Sequence, residues 1–219
     1  MTAELTPRRC ATVRPMDADD LPYVSDLHRE YLPGGFFAQL GGGFLRNYYE
    51  SYLTSPASVA LIGEVDGARA GFLVGTVDHA RYVRHVGRHH RARLMAAGGW
   101  ALLRRPGLTR TLVATRLTRY RSALRRARHR SPEAQPRAAR FGVLNHVAVD
   151  GAWRRAGVGR ALVESYTGIA VLHGTHRLRL TARTQTPDAC AFYLGLGWKP
   201  GDEYRDADGV PWIPFTREL

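Results

Sequence analysis

Lysine is all but missing from this chain. Lys199 is the only one in 219 residues, and arginine supplies the other 31 of the 32 basic side chains. Cysteine is nearly as scarce. Cys10 and Cys190 are too few and too far apart for a disulfide scaffold, and they lack the spacing of a metal site. No metal is therefore expected, and a reducing compartment is favoured. Long apolar runs are absent too: the longest, Met95 to Leu103, is too short to cross a bilayer and is flanked by arginines. Met1 to Cys10 holds no apolar stretch of the secretory kind. These absences lead to the expectation of a soluble, cytoplasmic protein. With 44% hydrophobic and 10% aromatic residues, the chain can still bury a sizeable core, which excludes a disordered chain.

What is abundant is positive charge, +13 at pH 7, and it is unevenly placed. Residues 80–140 hold 17 arginines and a single acid, Glu133, so this stretch carries +16 and the rest of the chain −3. A genome rich in G and C would raise arginine everywhere but would not concentrate it here. The expectation is a single domain over residues 1–219, interrupted by an arginine-rich helical insert at 80–140.

Hydrophobic periodicity sets out the elements around that insert. Ala11 to Arg14 reads as a strand, and the Asp17/Asp19/Asp20 cluster suits the start of a helix carrying Leu21, Val24, Leu27 and Tyr31 on one face. A second helix is expected over Phe37 to Leu53. Ser58 to Glu64 and Ala70 to Val77 read as strands joined at Asp66-Gly67, a dipeptide suited to a tight hairpin. Beyond the insert come a strand (Phe141 to Val149), a helix (Val158 to Leu172), a strand (Arg177 to Thr184), a helix (Asp188 to Leu196) and one or two terminal strands. This β-α-α-β-β, insert, β-α-β-α-β order is a mixed α/β layout with a central sheet.

Chemistry concentrates where the strand Leu144-Asn145-His146-Val147-Ala148-Val149-Asp150 runs into Arg154-x-x-Gly157-x-Gly159. A glycine turn opening a helix presents unpaired amides at the positive end of the helix dipole, which suits a pyrophosphate. The spacing fits neither a dinucleotide fingerprint nor a P-loop. Downstream lies Thr186-Pro187-Asp188-Ala189-Cys190-Ala191-Phe192-Tyr193, then Gly197-Trp198. In these two segments, in this order, the chain resembles the GNAT superfamily of acyl-CoA-dependent N-acyltransferases. Arg154, Gly157 and Gly159 match its R/Q-x-x-G-x-G/A motif, and the second segment is similar to its N-x-x-A-x-x-F-Y-x-x-x-G-F segment. The resemblance covers roughly residues 10–79 and 141–219. Thr186 stands where the family usually has Asn, and Trp198 where it usually has Phe.

The resemblance implies a mixed central sheet with two splayed parallel strands and flanking helices, with acetyl-CoA as acyl donor in the cleft between those strands. Arg154, Arg155, Ala156, Gly157, Val158, Gly159 and Arg160 would form the turn holding the pyrophosphate. Val147, Ala148 and Val149 would hold the pantetheine arm, with Thr186 and Phe192 completing the cofactor site. Tyr193 would protonate the departing thiolate, and His146 is the candidate general base. If His146 faces the opposite layer, Asn145 lines the site and water takes the proton. His28 and Glu30 fall in the region that usually forms the acceptor site, although each also reads as a solvated helix-face residue. The implied function is acetyl transfer to a primary amine of a small metabolite such as an amino sugar, a nucleotide-linked sugar or an amino acid, in a monomer or homodimer with no nucleic-acid partner; the arginine-rich insert tilts the acceptor towards an anionic one.

The family does not account for the insert. Arg81 to Leu103 and Leu108 to Arg128 read as two helices broken at Pro106-Gly107. The second carries Leu108, Leu112, Leu117, Tyr120 and Leu124 as a stripe among arginines. That pattern favours a helical hairpin docked on its own domain. A membrane surface, or a catalytically silent fold that holds nucleic acid, is the alternative.

Overall fold

The computed structural model describes residues 10–33, 36–103, 140–206 and 209–219. The chain order is β1 (Ala11–Pro15), α1 (Leu21–Tyr31), α2 (Phe36–Gln39), α3 (Gly42–Thr54), β2 (Ser58–Val65), β3 (Ala68–Thr76), α4 (His79–His89) and α5 (Arg91–Leu103). It continues with β4 (Phe141–Val149), α6 (Val158–Leu172), β5 (Arg177–Arg183), α7 (Pro187–Gly195), β6 (Lys199–Pro200), β7 (Tyr204–Arg205) and β8 (Pro211–Glu218). The strands form one sheet in the order β1-β2-β3-β4-β5-β8-β6, with β7 also paired to β8.

Among the described strands one pairing is parallel, and it is short. β4 and β5 are in register only from Phe141, Gly142 and Val143 to Arg177, Leu178 and Arg179. Both strands then continue past the last paired residue, to Val149 and Arg183, and a cleft opens between them. β5 instead pairs along its whole length with β8, antiparallel from Arg177↔Glu218 to Arg183↔Trp212.

The sheet has a core on each face, as strand alternation requires. On one face Leu61, Leu73, Leu144 and Leu178 pack beneath Leu162 and Tyr166 of α6 and Trp198. On the other, Ile62, Phe72 and Val74 pack against Val24 of α1 and Leu45 and Tyr49 of α3. An irregularity in β4 decides which face its residues reach. Val74 pairs with His146 while Gly75 pairs with Leu144, so Asn145 is a bulge residue. Leu144 therefore belongs to the α6 core, whereas Ala148, four residues on, lies in the α1/α3 core.

Two expected helices are divided. The Phe37–Leu53 helix is split into α2 and α3 at Gly41, whose φ of 86° is left-handed. The Arg81–Leu103 helix starts earlier and is broken at His90. Asp78 caps α4 by accepting the Arg81 amide at 2.9 Å, and His90 turns to place its Nε2 2.7 Å from Thr54 Oγ1. The Leu108–Arg128 helix, its leucine stripe and the break at Pro106-Gly107 lie outside the described residues. The hairpin at Asp66-Gly67 has positive φ at both residues, 52° and 77°, as that dipeptide favours.

Candidate active site

The α6 entry turn is assembled from both ends of its sequence. Asp150 Oδ1 accepts the Ala152 amide at 2.9 Å, and the Tyr31 hydroxyl on α1 accepts the Gly151 amide at 2.8 Å. The Arg154 guanidinium sits 5.0 Å over the Tyr31 ring. Arg155 takes a positive φ of 63°, and Gly157, the N-cap of α6, takes 83° with no capping side chain. The first amide to bond back within the helix is that of Ala161, to the Gly157 carbonyl. The preceding amides, at Val158, Gly159 and Arg160, therefore have no intrahelical partner and point out at the positive end of the dipole. A Cβ on Gly157 would meet nothing within 4 Å, so the space in front of the turn is open. Val158 is buried beneath the turn, whereas the Arg160 side chain bends back to Glu164 at 3.2 Å.

The cleft between β4 and β5 leads away from this turn. It has a volume of about 350 Å³ and is lined by Val143, Asn145, Arg179, Thr181, Pro214 and Thr216, among others. The side-chain Oδ1 of Asn145 is buried there without a hydrogen-bond partner. Val147 and Val149 pack towards α6, and Ala148 lies on the opposite side of the strand.

α7 closes the other wall. Phe192 lies against the turn: a Cβ on Gly159 would sit 3.4 Å from its ring. Tyr193 is 7% exposed and packs against Trp198 and Phe215, with ring centroids 6.0 and 5.8 Å away. Burial pushes its phenol well above the ordinary tyrosine range, so it stays protonated and able to donate. Thr186 is exposed and its hydroxyl donates to the Arg183 carbonyl at 2.8 Å, tying α7 to the end of β5.

His146 faces the opposite layer. The Asn145 bulge turns it towards α1 and α3, where its Nε2 lies 3.1 Å from the Tyr48 hydroxyl and its ring 4.9 Å from that of His28. Phe37 of α2 stacks on Tyr48 at 4.5 Å and stands edge-on to His146 at 6.4 Å. The expectation of a solvated His28 is corrected. It is 1% exposed, and its Nδ1 lies 2.5 Å from the Tyr49 hydroxyl, with Nε2 buried and unpartnered. Burial lowers His28 to about 4, and burial together with His28 lowers His146 to about 3, so both rings are neutral at neutral pH. Glu30, two residues along α1, is exposed and does not join this group.

Sequence reasoning missed Tyr31, Tyr48 and Tyr52 as parts of this arrangement. Tyr48 and Tyr52 fall within the expected Phe37–Leu53 helix, but nothing in their spacing shows the contact with His146. Among the described residues there is no metal-type cluster of His, Cys, Asp and Glu, and no helix is long and apolar enough to cross a membrane.

Residues 132–219 match the family model described as acetyltransferase (GNAT) domain. No curated protein sequence matches significantly. Among solved structures, a GCN5-related N-acetyltransferase from Kribbella flavida is 14% identical with a TM-score of 0.59, covering 95% of this chain and 98% of that one. Ard1 from Thermoplasma volcanium is 15% identical at a TM-score of 0.58, covering 95% and 97%. A ribosomal-protein-alanine N-acetyltransferase from Brucella melitensis is 11% identical at 0.58, covering 95% and 99%. Such identities speak for the fold alone, and the family model speaks for the C-terminal segment that carries both motifs. Residues 132–219 thus match the GNAT acetyltransferase domain, and the whole chain shares the fold of these solved acetyltransferase structures.

Proposed function

We propose that this protein moves an acetyl group from acetyl-CoA to the primary amine of a small, anionic metabolite such as an amino sugar, a nucleotide-linked sugar or an amino acid. The observation that carries the reading is the divergence of β4 from β5 after Val143 and Arg179, directly beside the open amides that begin α6. The turn Arg154, Arg155, Ala156, Gly157, Val158, Gly159 and Arg160 would hold the pyrophosphate. Val147, Ala148 and Val149 would hold the pantetheine arm, with Thr186 and Phe192 at the α7 side. Acetyl-CoA would supply the activated acyl group. The amine lone pair forms the new C–N bond as the C–S bond breaks. Tyr193 protonates the sulfur that leaves; with His146 turned to the opposite layer and lowered to about 3 by burial, Asn145 lines the cleft and the surplus proton on nitrogen passes to water. His28, Asn145 and Glu30 are the acceptor-side candidates; Asn145 lines the cleft, whereas His28 is buried and Glu30 is exposed on α1.

The test is release of free CoA thiol over a panel of amines, including an amino-terminal alanine peptide, since one structural neighbour is described as acting on ribosomal-protein alanine. Turnover of a small anionic amine is expected. No turnover of any amine, with no thermal stabilisation by acetyl-CoA, would overturn the reading. The +16 charge of residues 80–140 favours a second reading, a silent fold that binds nucleic acid or an anionic membrane through the insert. Nucleic-acid binding would weaken steeply with salt.

A further inference from the structure

β5 alternates between two environments. Leu178, Leu180 and Ala182 point into the α6 core, so Arg177, Arg179, Thr181 and Arg183 point to the opposite face of the sheet, which carries α1 and α3 over β2 and β3. Two of the three arginines are engaged on that face. Arg177 pairs with Glu218 on β8, and the Arg183 guanidinium lies 5.2 Å over the Trp212 ring. Arg179 is exposed, and among the described residues no carboxylate pairs with it. Its guanidinium lies 4.8 Å over the Phe141 ring, and His79 of α4 packs on the same ring at 5.7 Å. A guanidinium held over an aromatic face keeps its N–H donors free in its own plane.

This arginine stands at the closed end of the β4/β5 cleft. It is the last residue of β5 in register with β4, opposite Val143, and among the described lining residues of the 350 Å³ cavity it alone is charged. Thr216 stands opposite it on β8 and Thr181 follows two residues along β5, and both line the same cavity with a hydroxyl to donate. On the β4 side is Asn145 Oδ1, buried and without a partner. A buried carbonyl oxygen left unpaired is costly, and a ligand that donates an N–H to it removes that cost.

The cavity thus has donors on its β5 and β8 side and an unpaired acceptor on its β4 side. That polarity fits an amine with an oxyanion a few bonds away. CoA brings no such pair to this place. Its phosphates are assigned to the α6 turn, and β4 runs six residues, about 20 Å, from Val143 to Val149 before it reaches that turn. The arm between those phosphates and the thioester is uncharged. We infer that Arg179, with Thr181 and Thr216 beside it, binds the oxyanion of the acceptor, a carboxylate or a phosphate, while Asn145 Oδ1 receives an N–H of its amine. Asn145 lies two positions, about 7 Å of strand, beyond the Val143–Arg179 pair, so the acceptor is a short amine with its anion a few bonds from nitrogen. The inference rests on the acetyl-transfer reading above, and it assigns the preference for an anionic acceptor to β5 rather than to the arginines of residues 80–140. The insert contributes through His79, which packs on the ring that holds Arg179.

Arginine side-chain ¹⁵N NMR on the labelled full chain, with CoA present, reads Arg179 without turnover; its Nε–H signal is the one lost in Arg179→Lys. The probes are glycine, β-alanine and phosphoethanolamine, each against its neutral counterpart: glycinamide, β-alaninamide and ethanolamine. At least one anionic probe should shift the Arg179 signal while its counterpart does not, and the carboxylate and phosphate arms tell which oxyanion is bound. In thiol-release kinetics that probe should be preferred over its counterpart about tenfold or more, and Arg179→Gln should remove most of the preference by raising KM. Thr181→Val and Thr216→Val should each raise the same KM by less. An Arg179 signal unmoved by every anionic probe, or an anionic preference that survives Arg179→Gln, overturns the subsite. Failure of the acetyl-transfer reading is distinguishable: binding at Arg179 with no thiol released from any amine keeps the subsite and removes the transfer, whereas equal turnover of anionic and neutral amines removes the subsite alone.

Discussion

Gly159 and Phe192 meet across the cofactor turn: a Cβ on Gly159 would stand 3.4 Å from the Phe192 ring and 3.6 Å from Val149 Cγ2. The two residues come from separate motifs, 33 positions apart in the chain. Their contact joins the start of α6, the end of β4 and the body of α7 into one wall. A side chain at Gly159 must therefore push Phe192 away or grow into the space before the turn.

Gly159→Leu is accordingly expected to fold and to lose the thermal stabilisation given by acetyl-CoA. Gly157→Ala meets no neighbour but forces a Cβ into left-handed backbone, a strain of about 1 kcal/mol. That variant should unfold at slightly lower temperature and bind acetyl-CoA more nearly as the wild type does. Full stabilisation by acetyl-CoA of a folded Gly159→Leu protein would remove the turn from the cofactor site.

Tyr193→Phe removes one hydroxyl and keeps the packing against Trp198 and Phe215. Acetyl-CoA binding should persist while kcat falls on the order of a hundredfold, the ordinary weight of a positioned general acid. Wild-type turnover in Tyr193→Phe would reduce the residue to a core aromatic.

The segments legible in the sequence are those whose local chemistry and tertiary role agree. Phe141–Val149 and Val158–Leu172 have the boundaries that alternation, glycine and helical spacing predict. The break at His90 is not legible, because no proline or glycine marks it. It depends on a contact with Thr54, 36 residues away. The face of His146 is hidden for a related reason. Period-two reading puts Leu144, His146 and Ala148 on one side of β4, and only the Asn145 bulge separates them. His28 did leave a signal: it follows Val24 by one helical repeat, so the stripe that buries Val24 carries it inward too. Tyr82, remote in sequence from α3, left none.

The buried histidines make stability depend on pH. An unfolded histidine titrates near about 6.5, whereas burial lowers His28 to about 4. Between those values the unfolded chain holds more protons than the folded one. The contribution is thus complete above about pH 6.5 and is lost as pH falls towards 4. At about pH 5 His28 alone accounts for on the order of 2 kcal/mol. The melting temperature should drop between about pH 7 and pH 5, and His28→Gln should flatten that slope. Parallel profiles for the two proteins would show that His28 is not the group responsible.

The insert can be tested by removing it, because the strands on either side of it already pair: Thr76 of β3 stands opposite Val143 of β4. Replacing residues 78–139 with a short Asn-Gly turn would close that hairpin directly. The loss would fall on one side of the sheet. Tyr82, stacked on Tyr52, would go, as would Arg93, which binds Glu50 at 2.9 Å and Asn47 at 3.1 Å. The α6 turn, β5 and α7 lie on the other side of the cleft and gain no described hydrogen bond from α4 or α5. The shortened protein should therefore melt at lower temperature yet still be stabilised by acetyl-CoA, with kcat reduced and the acceptor's KM raised. Lost acetyl-CoA binding would show that the insert supports the cofactor side. Unchanged kinetics in a stable shortened protein would show instead that the acceptor side is complete without it.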